Sequence, residues 1–180
     1  MSIVCIQYSD HGIRFVSDSR WTKIFSDEYE DRTDVKKITR LGAVVFSATG
    51  MIAAIEHPPL PLLTVGQGET ILYRLSRLMC VKLDLSKAAK FQELMGAIHT
   101  CFLAGQDPKG QYWLRGLQVT FENGQFTRKL LKFPCGPIPK LCSSGGRAVP
   151  LDVDGDPVEH IKAVIALGGD CGGPIQEVTL

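Results

Sequence analysis

Residues 1–20 read MSIVCIQYSDHGIRFVSDSR, and the fold turns on how this stretch is read. The apolar run Ile3-Val4-Cys5-Ile6 predicts a short strand. Ser9-Asp10-His11-Gly12 supplies turn chemistry, because short polar side chains bond to their own main chain and glycine accepts dihedrals that other residues avoid. Ile13, Phe15 and Val16 start a second strand, which ends on the polar cluster Ser17-Asp18-Ser19-Arg20. Two strands of similar length joined by a tight turn return Asp18 to the side of the first residues.

Ser2 follows the initiator methionine, and a residue as small as serine permits removal of Met1. The exposed residue then carries a hydroxyl and a free α-amine. An α-amine has an ordinary pKa of about 8, much nearer neutrality than a lysine at about 10.4. It can take the hydroxyl proton without a histidine, so Ser2 is a candidate nucleophile.

Ser2, the pair His11-Gly12 and the run Asp18-Ser19-Arg20-Trp21-Thr22 together resemble the start of a proteasome β-subunit or its bacterial relative HslV. Those proteins open with a catalytic threonine, turn through His-Gly or a similar pair, and close the second strand on Asp-Ser-Arg-x-Thr. Aligning Ser2 with that threonine places Asp18 on the family's aspartate without a gap, and leaves Met1 as the only propeptide. The segment Val35-Lys36-Lys37-Ile38, followed by an apolar strand from Ala43 to Ala48 and the corner Thr49-Gly50, repeats the family order. On this match Lys37 is the catalytic lysine, although the loop before it is longer than is usual. Leu141-Cys142-Ser143-Ser144-Gly145-Gly146 resembles the family's Gly-Ser-Gly corner, with Ser144 as the serine that supports the amine.

Composition sets looser bounds. The chain has 180 residues, 44% hydrophobic and 22% charged, with a net charge of +1, which suits one domain spanning residues 1–180. A nearly neutral chain does not bind nucleic acid through bulk charge. No apolar run approaches the length of a membrane span, and the first residues lack the basic and apolar regions of a secretory signal. Six cysteines without a C-x-x-C spacing read as reduced thiols in a cytoplasmic protein, not as a zinc site.

The remaining elements follow from pattern. Residues 26–31 form an acidic loop or loose hairpin. His57-Pro58-Pro59-Leu60-Pro61 forbids a regular helix. Helical spacing resumes at Glu69, with Ile71, Leu72, Leu75, Leu78 and Met79 on one face. A second helix is expected from about 86 to 103, with Phe91, Leu94, Met95, Ile98 and Phe102 as its stripe and His99 as a core or interface histidine. Residues 112–120 and 125–133 read as strands joined by Glu122-Asn123-Gly124. Asp152-Val153-Asp154-Gly155-Asp156 has the wrong spacing for a calcium loop. Asp156 reads instead as the N-cap of a helix over 157–167, with Pro157 at its first position and Glu159 closing a capping box. A last strand is expected over 174–180.

The resemblance implies an α+β fold, a four-layer α/β/β/α sandwich of two antiparallel sheets. It implies a peptidase in which Ser2 forms an acyl-enzyme, Lys37 and Asp18 tune the amine, and main-chain N–H groups at Thr49 and Gly50, beside Ser47, meet the oxyanion. Trp21 and Thr22 fall on the substrate pocket, with Trp21 in place of a small residue. Cys171 stands where the family carries a serine, and Asp170 is the nearest substitute for an aspartate displaced from Gly168. No cofactor or metal is implied. The partners implied are peptide or unfolded polypeptide substrates, copies of the chain in a ring or double ring, and an ATP-dependent unfoldase, with no nucleic acid and no membrane. A catalytically silent structural subunit of the same fold, and an N-terminal-nucleophile amidohydrolase acting on a small amide, are the alternatives.

Overall fold

The computed structural model describes residues 3–22, 31–51, 57–81, 83–133, 140–144, 147–151, 156–167 and 171–180. The opening stretch is a hairpin of β1 (Ile3–Ser9) and β2 (Gly12–Ser17), in register from Val4↔Ser17 to Ser9↔Gly12. Asp10-His11 is thus the two-residue turn. Further strands are β3 (Trp21–Thr22), β4 (Asp31–Arg32), β5 (Ile38–Leu41), β6 (Val44–Gly50), β7 (His99–Gln106), β8 (Tyr112–Glu122), β9 (Gln125–Lys132), β10 (Lys140–Ser144), β11 (Arg147–Leu151) and β12 (Gln176–Thr179). The helices among the described residues are α1 (Val65–Val81), α2 (Leu85–Met95) and α3 (Pro157–Ala166).

The strands form two five-stranded sheets, in the orders β11-β10-β1-β2-β12 and β5-β6-β7-β8-β9, and a two-stranded ribbon β3-β4. Every pairing in them is antiparallel. The chain is therefore an α+β protein built on two antiparallel sheets.

Alternation along the strands sets the packing. Val4, Ile6, Ile13 and Phe15 of the first sheet share one core cluster with Ile38, Val45, Phe102, Ala104 and Leu114 of the second. Their neighbours Ile3, Cys5 and Val16 point the other way and pack with Ile161 of α3 and with Cys171. On its own far face the second sheet carries Val44, Ala48, Cys101, Leu103 and Leu117 against Leu72 and Met79 of α1.

Local signals explain the element ends. Thr64 and Gln67 form a reciprocal cap at the start of α1: Gln67 N–H donates to Thr64 Oγ1 (3.4 Å) and Thr64 N–H donates to Gln67 Oε1 (2.9 Å). Helix α1 therefore begins at Val65, ahead of the expected Glu69. Leu72, Leu75 and Met79 are buried as their spacing predicts, but Leu78 is 52% exposed and does not belong to that face. The proline-rich stretch stays non-helical, with Leu60 joined to Gly42 in an isolated parallel bridge. Asp156 caps α3 by accepting from Val158 N–H (2.9 Å), while Glu159 reaches along the helix to Lys162 (2.7 Å). The turn expected at Asn123-Gly124 joins β8 to β9, with Asn123 at φ +51°.

Two expectations are corrected. The helix expected over 86–103 stops at Met95, because Gly96 takes a left-handed cap conformation (φ +75°) and its N–H returns to Gln92 O. Residues from His99 onward form β7, the middle strand of the second sheet, and Leu94 is 74% exposed instead of lining a helical stripe. The cysteines are not uniformly reduced. Cys5 is disulfide-bonded, and its cross-strand neighbour in the register is Cys142, whereas Cys80, Cys101 and Cys171 are reduced. The argument from cysteine usage to a reducing compartment does not hold at Cys5. No helix among the described residues is long and apolar enough to cross a membrane.

Candidate active site

The ladder between β1 and β2 closes at Val4↔Ser17, so Asp18 is the first residue beyond it and turns beneath the first strand. Its carboxylate is sealed from solvent and carries three donors. Ile3 N–H donates to Oδ1 (3.0 Å), the Lys37 ammonium donates to the same oxygen (2.6 Å), and Gly172 N–H donates to Oδ2 (3.1 Å). An unpaired charge in such a place would be costly, and three charge-assisted bonds with one opposite charge offset that cost. Asp18 thus joins three distant pieces of chain: the start of β1, the residue before β5, and the segment leading into β12.

Lys37 is likewise buried, whereas its neighbour Lys36 is exposed. Adjacent residues of an extended segment face opposite sides, so only one of the two lysines can enter the core. Burial pushes the Lys37 ammonium below the ordinary lysine pKa; Asp18, and to a smaller degree the nearby Cys171 thiol, pull it back up. The approach to Lys37 is pinned along its length. Ser19 Oγ donates to Thr33 O (2.5 Å), Val35 N–H donates to Ser19 O (3.1 Å), and Ser47 Oγ donates to Lys37 O (2.9 Å). Gln176 binds the same segment from β12, accepting from Lys37 N–H (2.9 Å) and donating to Val35 O (2.7 Å).

The other residues singled out in the sequence fall as follows. Ser47 and Thr49 are fully buried on one face of β6, and Gly50 ends that strand with φ +97°. Ser144 closes β10 and lies opposite Ile3 in the register, so its main chain is beside the residue that follows Ser2. Trp21 and Thr22 pair with Arg32 and Asp31 in a short ribbon whose entry is braced by an Arg20–Asp31 ion pair (2.8 Å), and the rest of the acidic stretch lies outside the described residues. Cys171 is a buried thiol packed with Ile3, Cys5 and Val16. Ser2, Asp170, the turn at Gly145 and the loop over 152–155 lie outside the described residues. Sequence reading missed Gln176, Gly172 and Ser19. No motif marks Gln176, because its effect is on main-chain atoms far away in sequence. The Gly172-Gly173 pair was a visible signal for a corner, though not for an amide aimed at Asp18.

A second buried polar group lies under α1. His99 is fully buried, with Nε2 3.5 Å from Ser76 Oγ and Nδ1 without a hydrogen-bond partner among the described residues. Burial, reinforced by the Arg128 cation, pushes its pKa down to about 3, and the Met51 main chain opposes that shift only weakly. Burial also pushes the thiols of Cys80 and Cys101 up, away from nucleophilic character. This group is neutral and inert at ordinary pH, and His99 fits the core role expected of it. No cluster of three or more His, Cys, Asp or Glu able to hold a metal occurs among the described residues.

Neither a scan against models of known protein families nor a search of curated proteins returned a match to this chain.

Proposed function

We propose that the chain is a proteasome- or HslV-like peptidase of the N-terminal-nucleophile class, with Ser2 as its nucleophile once Met1 is removed. The observation that carries this reading is the bifurcated hold of Asp18 Oδ1 on Ile3 N–H (3.0 Å) and Lys37 Nζ (2.6 Å). One carboxylate oxygen there fixes both the residue next to Ser2 and a buried cation. The finer fold in this reading is the four-layer α/β/β/α sandwich, supported by α1 over one sheet and α3 over the other.

In the proposed reaction Ser2 Oγ attacks the scissile carbonyl carbon, and its proton passes to the Ser2 α-amine. The tetrahedral oxyanion is met by main-chain N–H groups at Thr49 and Gly50. Its collapse breaks the C–N bond, and the leaving amine takes the proton from the α-ammonium. Water then attacks the acyl ester, giving its proton to the same amine. Release of the carboxylic acid restores the Ser2 hydroxyl. The Lys37 cation disfavours protonation of the neighbouring amine, which keeps it a base near neutrality. Ser144 and Cys171 support the amine, Asp170 takes the place of the displaced aspartate, and Trp21 and Thr22 border the pocket, with Trp21 narrowing it. Peptide or unfolded polypeptide is the substrate, and no cofactor is used. Copies of the chain form a closed ring or double ring in the cytoplasm, served by an ATP-dependent unfoldase.

The same buried Asp18–Lys37 pair would also serve a silent structural subunit, which gives that reading a specific footing. Intact mass after treatment with a peptide epoxyketone separates the two, since the warhead needs an N-terminal hydroxyl together with its α-amine. The expected result is loss of Met1 and one covalent adduct per chain, absent in Ser2→Ala. Retained Met1, or peptide cleavage by Ser2→Ala at the wild-type rate, defeats the proposal.

A further inference from the structure

Lys37 lies one residue outside the sheet that leads away from it. The ladder between β5 and β6 begins at Ile38↔Ser47. Beyond that point the main chain needs other partners, and it has four of them around Lys36. Val35 N–H donates to Ser19 O, Val35 O accepts from Gln176 Nε2, Lys37 N–H donates to Gln176 Oε1, and Lys37 O accepts from Ser47 Oγ. Two of the four belong to one carboxamide. It donates to the carbonyl before Lys36 and accepts from the amide after it, the two bonds that the N–H and C=O of a single residue make in a parallel neighbouring strand. Gln176 itself is held in β12 opposite Ser17, the residue before Asp18. A single side chain therefore ties the arm carrying Lys37 to the arm carrying Asp18.

We propose that Gln176 is a positioning residue for Lys37: its carboxamide stands in for a missing strand and sets the extended turn of chain that sends Lys37 inward onto Asp18 and Lys36 outward. The inference rests on the peptidase reading for its consequence in catalysis, but the placement of Lys37 is a separate observable. Without the clamp, the Val35 carbonyl and Lys37 amide lose their partners and the segment relaxes toward water. The ammonium then leaves its 2.6 Å contact with Asp18. A displacement of this kind near a reacting centre costs roughly ten- to a hundredfold in turnover.

The experiment compares wild type with Gln176→Leu and Gln176→Glu, using Ser2→Ala as the inactive reference. Two readouts are taken. One is the pH profile of kcat and KM on a short fluorogenic peptide. The other is the pH titration of the Lys37 Cε resonance, assigned by its loss in Lys37→Arg. Among the described residues Asp18 and Cys171 are the ionisable groups acting on that ammonium, and the Ser2 α-amine is a third in the peptidase reading, so a moved titration reports its placement against them. Gln176→Leu is expected to lower kcat with KM changed by no more than about twofold, and to move the Lys37 titration. Gln176→Glu is expected to do the same at neutral pH, where a carboxylate cannot donate to Val35 O, and to recover as the pH falls and the protonated acid donates again. Wild-type kcat and an unmoved Lys37 resonance in Gln176→Leu overturn the proposal. Should that variant fail to fold, wild-type behaviour of Gln176→Glu at neutral pH overturns it equally. If wild type itself shows no Ser2-dependent cleavage, the peptidase reading falls, and the Lys37 resonance alone decides whether Gln176 places the ammonium.

Discussion

Asp18 and Lys37 stand nineteen positions apart in the chain and meet through a 2.6 Å bond with both side chains closed to solvent (0% and 1% exposed). Neither could be buried alone. Each makes the other's position tolerable, and the main-chain amides of Ile3 and Gly172 complete the shell around the carboxylate.

Lys37→Ala removes the cation and leaves the Asp18 carboxylate buried without its counter-charge. Breaking a buried pair in this way costs about 3–5 kcal/mol, and peptide cleavage is expected to fall nearly as far as in Ser2→Ala. Lys36→Ala removes an exposed charge and should stay within about 0.5 kcal/mol of wild type, with cleavage close to normal. Urea unfolding and a fluorogenic peptide assay on the two variants make the comparison. An essential Lys36 beside a dispensable Lys37 would show the assignment to be off by a residue.

Gly173 tests the corner that supports this pair. It has φ +77°, and a Cβ there would come within 2.5 Å of Ser19 Oγ and 2.7 Å of Thr33 O, the two atoms that anchor the approach to Lys37. Gly173→Ala is expected to lose about 1–3 kcal/mol and to weaken cleavage. At Gly172 an added Cβ meets the flexible Arg20 side chain at 3.3 Å, so Gly172→Ala should be the milder change. Thermal unfolding of both variants ranks them, and the reverse order would count against the described corner.

His99 sets an acid limit on stability. Its folded pKa is about 3 against an ordinary 6.5, so between those values the unfolded chain holds a proton that the folded chain does not. Stability is therefore complete above 6.5 and declines as the pH falls, by at most about 1.4 kcal/mol per pH unit from this group. Among the described residues, Arg128 on β9 and Ser76 on α1 are the polar side chains acting on the ring, and neither supplies a negative charge to hold a proton there. Urea midpoints at pH 7, 5.5 and 4.5 should fall more steeply for wild type than for His99→Gln. Equal slopes would remove His99 as the cause.

Assembly is expected to govern activity. If the proposed ring confines the active site, the isolated protomer should be inactive and the ring active. Fractionation by size, followed by assays with a short peptide and with a folded protein, tests this. Activity in the monomer pool, or rapid unaided digestion of the folded protein, would exclude the compartment.

Much of the fold was legible because its signals were local. The turn at Asp10-His11, the cap at Asp156, the Asn123-Gly124 hairpin and the prolines from 58 to 61 each act within a few residues. The misread helix had a physical cause. Leu94, Met95, Ile98 and Phe102 satisfy helical spacing, while β7 is buried on both faces and shows no alternation to contradict it; only Gly96 marked the break. The pairing of β1 with β10, which sets Cys5 opposite Cys142, and the clamp from Gln176 depend on contacts between the two ends of the fold. Spacing along the chain carries no trace of either. The buried position of Lys37 was legible as a choice between two neighbours, and what enforces the choice was not.

The order β11-β10-β1-β2-β12 places the first strand at the centre of its sheet, between β2 and a strand made only after residue 140. During synthesis Asp18 and Lys37 emerge early, but the amide of Gly172 and the carboxamide of Gln176 arrive more than 130 residues after Lys37. The hydrogen-bonded shell around the Asp18–Lys37 pair is therefore completed only when the last part of the chain is in place.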